Sequence, residues 1–280
     1  MEILELINNG SRQLKNKNIC SHKLDSEILL SKVLNKTREE LLINLNQKIE
    51  LTNISYFNRL ICRRSSKEPI AYILKEKEFW SKNFLVDKNT LIPRPETELI
   101  VEKITQVFKE KKIFILDIGT GTGCILLSIL SELKNSKGIG IDISKKAILI
   151  AIRNAKRLNL TENTKFYRRS VDEIYHQKFD LIVSNPPYVM KKDLKNLEDD
   201  IRNFEPKLAL DGGNDGLDVI KKVIYKSKNI LKTKGMLALE IGNEQFKKVS
   251  KILRSNKFKT KYLVKDYREN VRCILSILEN

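Results

Sequence analysis

Leu24, Ile28, Leu29, Val33 and Leu34 recur at helical spacing, and Leu41, Leu42 and Leu45 continue the pattern after a break. Thr37-Arg-Glu-Glu40 has the form of a capping box at the start of that second stretch, because Thr37 can accept from the helix end while Glu40 reaches back. Residues 1–70 therefore read as a small helical domain with no catalytic constellation of its own. Between Tyr72 and Leu91 the texture changes. Phe79, Trp80, Phe84 and Val86 predict two short strands around Ser81-Lys82-Asn83, so residues 71–92 read as a β-hairpin linker. Pro93 and Pro95 then fix a rigid turn, and helical spacing resumes over Glu96–Phe108.

From Lys112 short apolar runs alternate with helical stretches. The candidate strands are Ile113–Ile118, Gly138–Ile143, Lys165–Tyr167, Leu181–Ser184 and Met236–Ile241. Most are separated by helical patterns, which is the signature of βαβ units and a parallel sheet covered on both faces. Lys257–Val264 and Arg272–Leu278 follow one another with no helix between them, as an antiparallel pair at a sheet edge would. Residues 93–280 are thus expected to form one α/β domain.

Composition narrows the class. A chain of 280 residues that is 41% hydrophobic can bury a sizeable core. Its longest apolar run, around Gly123–Leu130, is far short of the roughly 20 residues needed to span a membrane. Met1–Gly10 is acidic and amphipathic, without a basic leader pattern, so a soluble, unexported, cytoplasmic protein is expected. The four cysteines lie far apart with no CxxC pair, which excludes the usual zinc spacings and a disulfide framework. The net charge of +18 fits attraction to nucleic acid or to an acidic protein. It fits coding bias as well, since Lys, Asn and Ile are all heavily used and the lysines are spread along the whole chain.

The first strand of the α/β region runs into Asp117-Ile-Gly-Thr-Gly-Thr-Gly123 and then a helical stretch. Glycines at that point let the backbone turn tightly and approach a ligand closely. Asp117 would suit a pyrophosphate poorly and a cationic ligand well. S-adenosylmethionine carries an ammonium and a sulfonium and no phosphate. The second strand ends at Asp142, where a carboxylate can accept both hydroxyls of a ribose. As a plain structural feature, Asp142 would be a helix cap before Ser144–Ile152.

The fourth strand ends in Val183-Ser-Asn-Pro-Pro-Tyr188. Two prolines cannot continue a ladder, so the chain leaves the sheet at its carboxyl edge, where α/β ligands bind. An sp2 nitrogen, in an amide or an aromatic amine, shares its lone pair with a π system and is a poor nucleophile. The Asn185 side-chain oxygen and the Pro186 carbonyl can each accept one of its N–H bonds, with Pro187 shaping the turn and Tyr188 covering the planar group. The nitrogen gains positive charge as it pyramidalises, so these acceptors bind it more tightly in the transition state than in the ground state. No strong general base is needed, because the methylated nitrogen becomes acidic and sheds its proton afterwards.

The chain resembles the bacterial release-factor glutamine methyltransferases, the PrmC/HemK family. The likeness is carried by the glycine loop, by Asn-Pro-Pro-Tyr, and by Glu68-Pro-Ile-Ala-Tyr-Ile, Glu78-Phe-Trp and Leu91-Ile-Pro-Arg-Pro-Glu-Thr-Glu98. Glu205-Pro206, Leu210-Asp-Gly-Gly-Asn-Asp-Gly-Leu217, Glu240-Ile-Gly-Asn-Glu-Gln245 and Leu24-Asp-Ser-Glu-Ile-Leu-Leu30 add to it. The resemblance implies a Rossmann-like class I methyltransferase sheet with a small N-terminal helical domain that recognises the substrate. It implies S-adenosyl-L-methionine as cofactor and, as substrate, the glutamine side chain in the Gly-Gly-Gln loop of peptide chain release factors. It also implies that Gly119, Thr120, Gly121, Thr122 and Gly123 wrap the methionyl part of the cofactor, that Asp142 holds its ribose and that Ser170 lies by its adenine. Asn185, Pro186, Pro187 and Tyr188 would hold the glutamine, with Asn185 also beside the cofactor. The chain departs from the family pattern at Arg169-Ser170-Val171, where an aromatic residue is frequent, and at Lys75, where glycine is. No metal, membrane or nucleic-acid substrate is expected, and a monomer is. Two enzymes with similar chemistry stand as alternatives, a DNA adenine-N6 methyltransferase and a ribosomal-protein glutamine methyltransferase. A third is a binding module that kept the fold without the reaction.

Overall fold

The computed structural model describes residues 1–175 and 177–279. It divides into two compact units, one formed by Met1–Glu76 with Glu198–Phe204, the other by Lys77–Leu197 and the chain from Glu205 onward.

The first unit carries α1 (Ile3–Lys15), α2 (His22–Leu34), α3 (Arg38–Ile43), α4 (Leu51–Ser65) and α5 (Ile70–Leu74). Ile3, Leu6, Ile7 and Leu14 of α1 pack with Leu29 and Leu30 of α2 and with Phe57, Leu60 and Ile61 of α4. A Cβ on Gly10 would come within 2.6 Å of the Ser26 hydroxyl and 2.8 Å of the Phe57 ring, so only glycine allows α1 to lie this close. The capping box at α3 forms as its sequence predicts: Thr37 Oγ1 accepts the Glu40 amide at 3.2 Å, and Glu40 accepts the Thr37 amide at 2.7 Å. Asp25 and Arg64 make a buried ion pair at 2.7 Å between α2 and α4. Helix α5 is capped by Lys75, whose φ of +63° is the left-handed conformation that favours glycine.

A hairpin of β1 (Glu76–Phe79) and β2 (Lys82–Leu85) follows, and from Lys77 it belongs to the second unit. Its turn falls on Trp80 and Ser81, one position earlier than the sequence predicts, and both residues have positive φ, +52° and +53°. Such a turn matches the right-handed twist of its strands and normally selects glycine or asparagine. Here tertiary hydrogen bonds hold it, from the Trp80 amide to Glu98 at 2.8 Å and from its indole N–H to Glu132 at 3.0 Å. Phe79 and Phe84 are buried in the core of this unit.

A turn at Pro95–Thr97 leads into α6 (Glu98–Val107). The chain then alternates β3 (Phe114–Ile118), α7 (Cys124–Glu132), β4 (Lys137–Asp142), α8 (Lys145–Arg157), β5 (Thr164–Arg168) and β6 (Phe179–Ser184). After the segment that belongs to the first unit, with α9 (Asp199–Phe204), come α10 (Asp218–Ile230), β7 (Leu231–Glu240), α11 (Phe246–Ser255), β8 (Phe258–Lys265) and β9 (Val271–Leu278). The sheet has seven strands in the order β5-β4-β3-β6-β7-β9-β8. The first five are parallel, and β9 pairs antiparallel with both β7 and β8, the edge arrangement predicted from the lack of an intervening helix. Buried side chains fill both faces of the sheet, which is why its central strands read as continuous apolar runs. The chain leaves β3 toward β4 on one side and returns to β6 on the other. That reversal opens a crevice at the carboxyl ends of β3 and β6.

Candidate active site

Strand register aligns the loops at that crevice. Ile118 of β3 pairs with Ile141 of β4 and with Ser184 of β6, and Ser184 pairs with Leu239 of β7. The next residue on each strand is Asp142, Gly119, Asn185 or Glu240. Four residues far apart in sequence therefore stand in one row along the carboxyl edge. The Ser184 hydroxyl donates to the Ile118 carbonyl at 2.7 Å and ties the two central strand ends together.

A cavity of about 290 Å³ lies in front of this row. Gly119, Gly121, Asp142, Ser170, Asn185 and Pro187 all line it. The loop after β3 is shaped for close approach: Gly119, Gly121 and Gly123 have φ of +73°, +54° and +79°. A Cβ on Gly119 would meet no protein atom within 4 Å, whereas one on Gly123 would press on Leu127, Ala151 and Phe166. The first glycine thus borders open space and the third allows packing.

Thr120 and Thr122 are buried and serve the loop itself. The Thr120 hydroxyl donates to Asp117 at 2.6 Å, and Thr122 Oγ1 accepts the Cys124 amide at 3.3 Å. Asn154 on α8 donates to the carbonyls of Thr122 and Leu85 and accepts the Leu85 amide, which binds the hairpin to the loop. Asp117 is 1% exposed and its Oδ1 has no partner among the described residues. Burial pushes this carboxyl up to about 7, against the pull of the Thr120 hydroxyl. A buried carboxylate with an unused oxygen favours a cationic neighbour.

Asp142 accepts the Gly121 amide on one oxygen at 3.0 Å and the Ser144 amide on the other at 2.8 Å. Each oxygen keeps a lone pair, and an ionised carboxylate only accepts, so the remaining capacity suits a pair of hydroxyls. Burial raises its pKa, while these backbone donors lower it. The cap of α8 is made by Ser144, whose hydroxyl accepts the Ala147 amide, so Asp142 is not that helix's cap. Ser170 lines the cavity, but its hydroxyl is engaged in a capping box, with Asp172 on its hydroxyl and Glu173 on its amide. Ile143 and Val171 supply apolar walls there.

Asn185 donates from Nδ2 to the Thr97 hydroxyl at 3.3 Å. Pro186 is buried and Tyr188 half-buried, and the Arg272 guanidinium of β9 lies near enough to the Tyr188 hydroxyl to pull its pKa down against burial. The turn they form sits in a cradle built by two other motifs. Gly212 donates to the Val189 carbonyl at 2.9 Å, and the Val189 amide donates to Leu210 at 3.0 Å. A Cβ on Gly212 would lie 2.8 Å from the Pro187 carbonyl, and one on Gly216 would lie 2.5 Å from that of Tyr188. Gln245 donates to the carbonyls of Tyr188 and Gly216, both at 3.1 Å, and accepts the Gly242 amide. Glu205 receives the Ile92 amide at 3.1 Å and pairs with Arg94, which anchors the Pro-Arg-Pro segment. The arrangement can hold a hydroxylated, positively charged ligand against the glycine loop and present a planar polar group to it from Asn185. No cluster of side chains able to hold a metal ion occurs among the described residues. None of their helices is long and apolar enough to cross a membrane.

Known proteins carry the same two parts. Residues 5–74 match the PrmC N-terminal domain family and residues 109–273 match a methyltransferase domain family. A release factor glutamine methyltransferase of Fusobacterium nucleatum is 38% identical over 281 residues, covering 98% of this chain and 78% of that protein. The release factor glutamine methyltransferase of Buchnera aphidicola from Acyrthosiphon pisum is 43% identical over 260 residues, 92% of each. Among solved structures, a methyltransferase from Pyrococcus furiosus superimposes with a TM-score of 0.53 at 16% identity, over 69% of this chain and 87% of that one, a likeness of fold alone.

Proposed function

The chain belongs to the release factor glutamine methyltransferase family, and we propose that the Asn185–Tyr188 turn is where it holds the glutamine amide. It is a protein glutamine methyltransferase that uses S-adenosylmethionine and acts on release factors. Within the release factor we assign the glutamine of the Gly-Gly-Gln loop as acceptor. The reading carries with it a cytoplasmic monomer that works on protein rather than on nucleic acid, with residues 1–70 reading the release factor.

The observation that carries the site assignment is the shared cavity edge. Gly119, Gly121 and Asp142 line it on one side, and Asn185 and Pro187 on the other. The residues fit the cofactor, since the open face of Gly119 leaves room for it and the unpartnered Asp117 oxygen favours its charge. Gly119 and Gly121 would lie along its methionyl part, Asp142 would accept its ribose hydroxyls, and Ile143, Val171 and the Ser170 backbone would flank adenine. When bound, S-adenosylmethionine supplies a methyl group activated by positively charged sulfur.

The protein's own contribution is positional and electrostatic. Asn185 Oδ1 and the Pro186 carbonyl accept the two amide N–H bonds and turn the nitrogen lone-pair lobe toward the glycine loop. Both acceptors gain strength as that nitrogen becomes positive, so their effect is larger in the transition state than in the bound substrate. Holding the amide in line removes much of the entropic barrier to a bimolecular transfer. Tyr188, whose carbonyl is held by Gln245, excludes water from the planar group. The alkylated amide then releases its proton to solvent. Incubation with methyl-labelled cofactor and either release factor or duplex DNA, followed by mapping of the label, tests this. Label on the Gly-Gly-Gln glutamine is expected, and label on adenine would overturn it.

A further inference from the structure

Asn185 must offer its oxygen to the substrate amide, yet the two ends of a carboxamide have the same shape, and only neighbouring donors and acceptors decide which way it faces. We infer that Thr97 and Glu240 are positioning residues that lock the Asn185 side chain with its NH2 turned into the protein and its oxygen toward the acceptor nitrogen. This rests on the role proposed for Asn185 above.

The sheet register delivers Glu240 to this place. Ser184 pairs with Leu239, so the residue that ends β7 stands beside the residue that follows β6. Thr97 comes from the turn before α6 and reaches the same point. Thr97 is 2% exposed and Glu240 1%. Neither lines the cavity, so any effect on the reaction passes through Asn185. Asn185 Nδ2 donates to Thr97 Oγ1 at 3.3 Å, and both side chains lie close enough to the Glu240 carboxyl to pull its pKa down against burial.

The polarity of the triplet follows from its donors. In its ionised form Glu240 only accepts. Thr97 has one hydroxyl proton, and with that proton on Glu240 its oxygen offers Asn185 nothing but lone pairs. Both neighbours therefore demand the NH2 end. A reversed Asn185 would set its oxygen against the carboxylate and the hydroxyl lone pairs, leaving buried acceptors facing one another without a proton between them. Glu240 Oε2 keeps no partner among the described residues, a costly arrangement to bury unless it serves a purpose. Arg272 on β9 lies close enough to offset its charge, while Glu96 opposes it. Two sequence motifs that the reaction otherwise leaves unused, Leu91–Glu98 and Glu240–Gln245, thereby acquire a task.

The test uses steady-state methylation of release factor, cofactor binding by calorimetry, and thermal melting to establish that each variant is folded. Glu240→Gln preserves shape but adds a donor that can face the Asn185 oxygen. Thr97→Val removes the relay at constant volume, and Thr97→Ser restores it. Glu240→Gln and Thr97→Val should each lower kcat about tenfold or more, with cofactor Kd and the KM for release factor within about threefold of wild type. Thr97→Ser should recover kcat to within about threefold. Wild-type kcat in Glu240→Gln or Thr97→Val would overturn the inference. So would a Thr97→Ser enzyme as slow as Thr97→Val, which would assign Thr97 to packing, or a loss of cofactor affinity in step with kcat. Asn185→Ala separates the two levels of the argument. If it turns over normally, the role of Asn185 itself is wrong. If it is inactive while Glu240→Gln is normal, only the positioning role fails.

Discussion

Asp142 Oδ2 accepts the backbone amide of Gly121 at 3.0 Å, so the carboxylate that ends β4 is bound to the loop that follows β3. The bond fixes loop and acid relative to one another before any ligand arrives. Such preorganisation would favour the nucleoside proposed to bind there, because side chains already held in place lose little entropy on binding.

Asp142→Ala removes both the loop contact and the acceptors proposed for the ribose. A hydrogen bond to a charged group is worth about 1.5–3 kcal/mol, so cofactor Kd should rise about tenfold or more while the fold persists. Titration calorimetry measures this directly, and an unchanged Kd would take Asp142 out of the site.

Two glycines separate the roles of cavity and cradle. Gly119→Ala costs about 1–2 kcal/mol of left-handed backbone strain and points its methyl into open space, so cofactor affinity should fall with little loss of structure. Gly216→Ala drives a Cβ to 2.5 Å from the Tyr188 carbonyl and must displace that turn. Its kcat should fall while cofactor Kd holds. Comparison of the two variants in binding and turnover assays checks the division.

Asp117 and Glu240 both have their carboxyls raised by burial to about 7, from ordinary values of 3.8 and 4.5. Between those limits the folded state holds protons that the unfolded chain has lost. Their contribution to stability is complete below the ordinary values and disappears as pH rises through about 7. The ligand-free protein should therefore lose stability through these two groups as pH is raised toward 7.5. A bound cation beside Asp117 favours its ionised form, so cofactor binding near pH 6.5 should release protons and tighten as pH rises to 7.5. Calorimetry in buffers of different ionisation enthalpy reads the protons released, and proton uptake would contradict the assignment.

In the helical unit, Arg64 and Asp25 are 8% and 4% exposed and are paired at 2.7 Å. Arg64→Ala strands a buried carboxylate and should destabilise that unit by about 3–5 kcal/mol. Chemical denaturation followed by circular dichroism tests it, and a change below about 1 kcal/mol would mean that Asp25 is solvated by other means.

Much of this architecture is legible in the chain. The alternation of apolar runs and helical stretches predicts the α/β sheet, and the missing helix between the last two runs predicts their antiparallel pairing. The glycine loop is readable because positive φ selects glycine. Other features depend on contacts distant in sequence. β7 begins at Leu231, ahead of the predicted Met236, because Phe179 pairs with Leu231 although Lys232, Thr233 and Lys234 look like loop. The Asn185–Glu240 juxtaposition depends on strand register, which no local pattern encodes. The cradle of Gly212, Gly216 and Gln245 around the Asn-Pro-Pro-Tyr turn is likewise a matter of backbone approach across the fold.

Asn185 is the acceptor proposed to hold the amide. Single-turnover methylation of release factor by Asn185→Ala, with cofactor bound at saturation, tests that most directly. The predicted result is cofactor affinity near wild type with methyl transfer slowed about a hundredfold or more, the size of a lost transition-state contact. Transfer at the wild-type rate would contradict it.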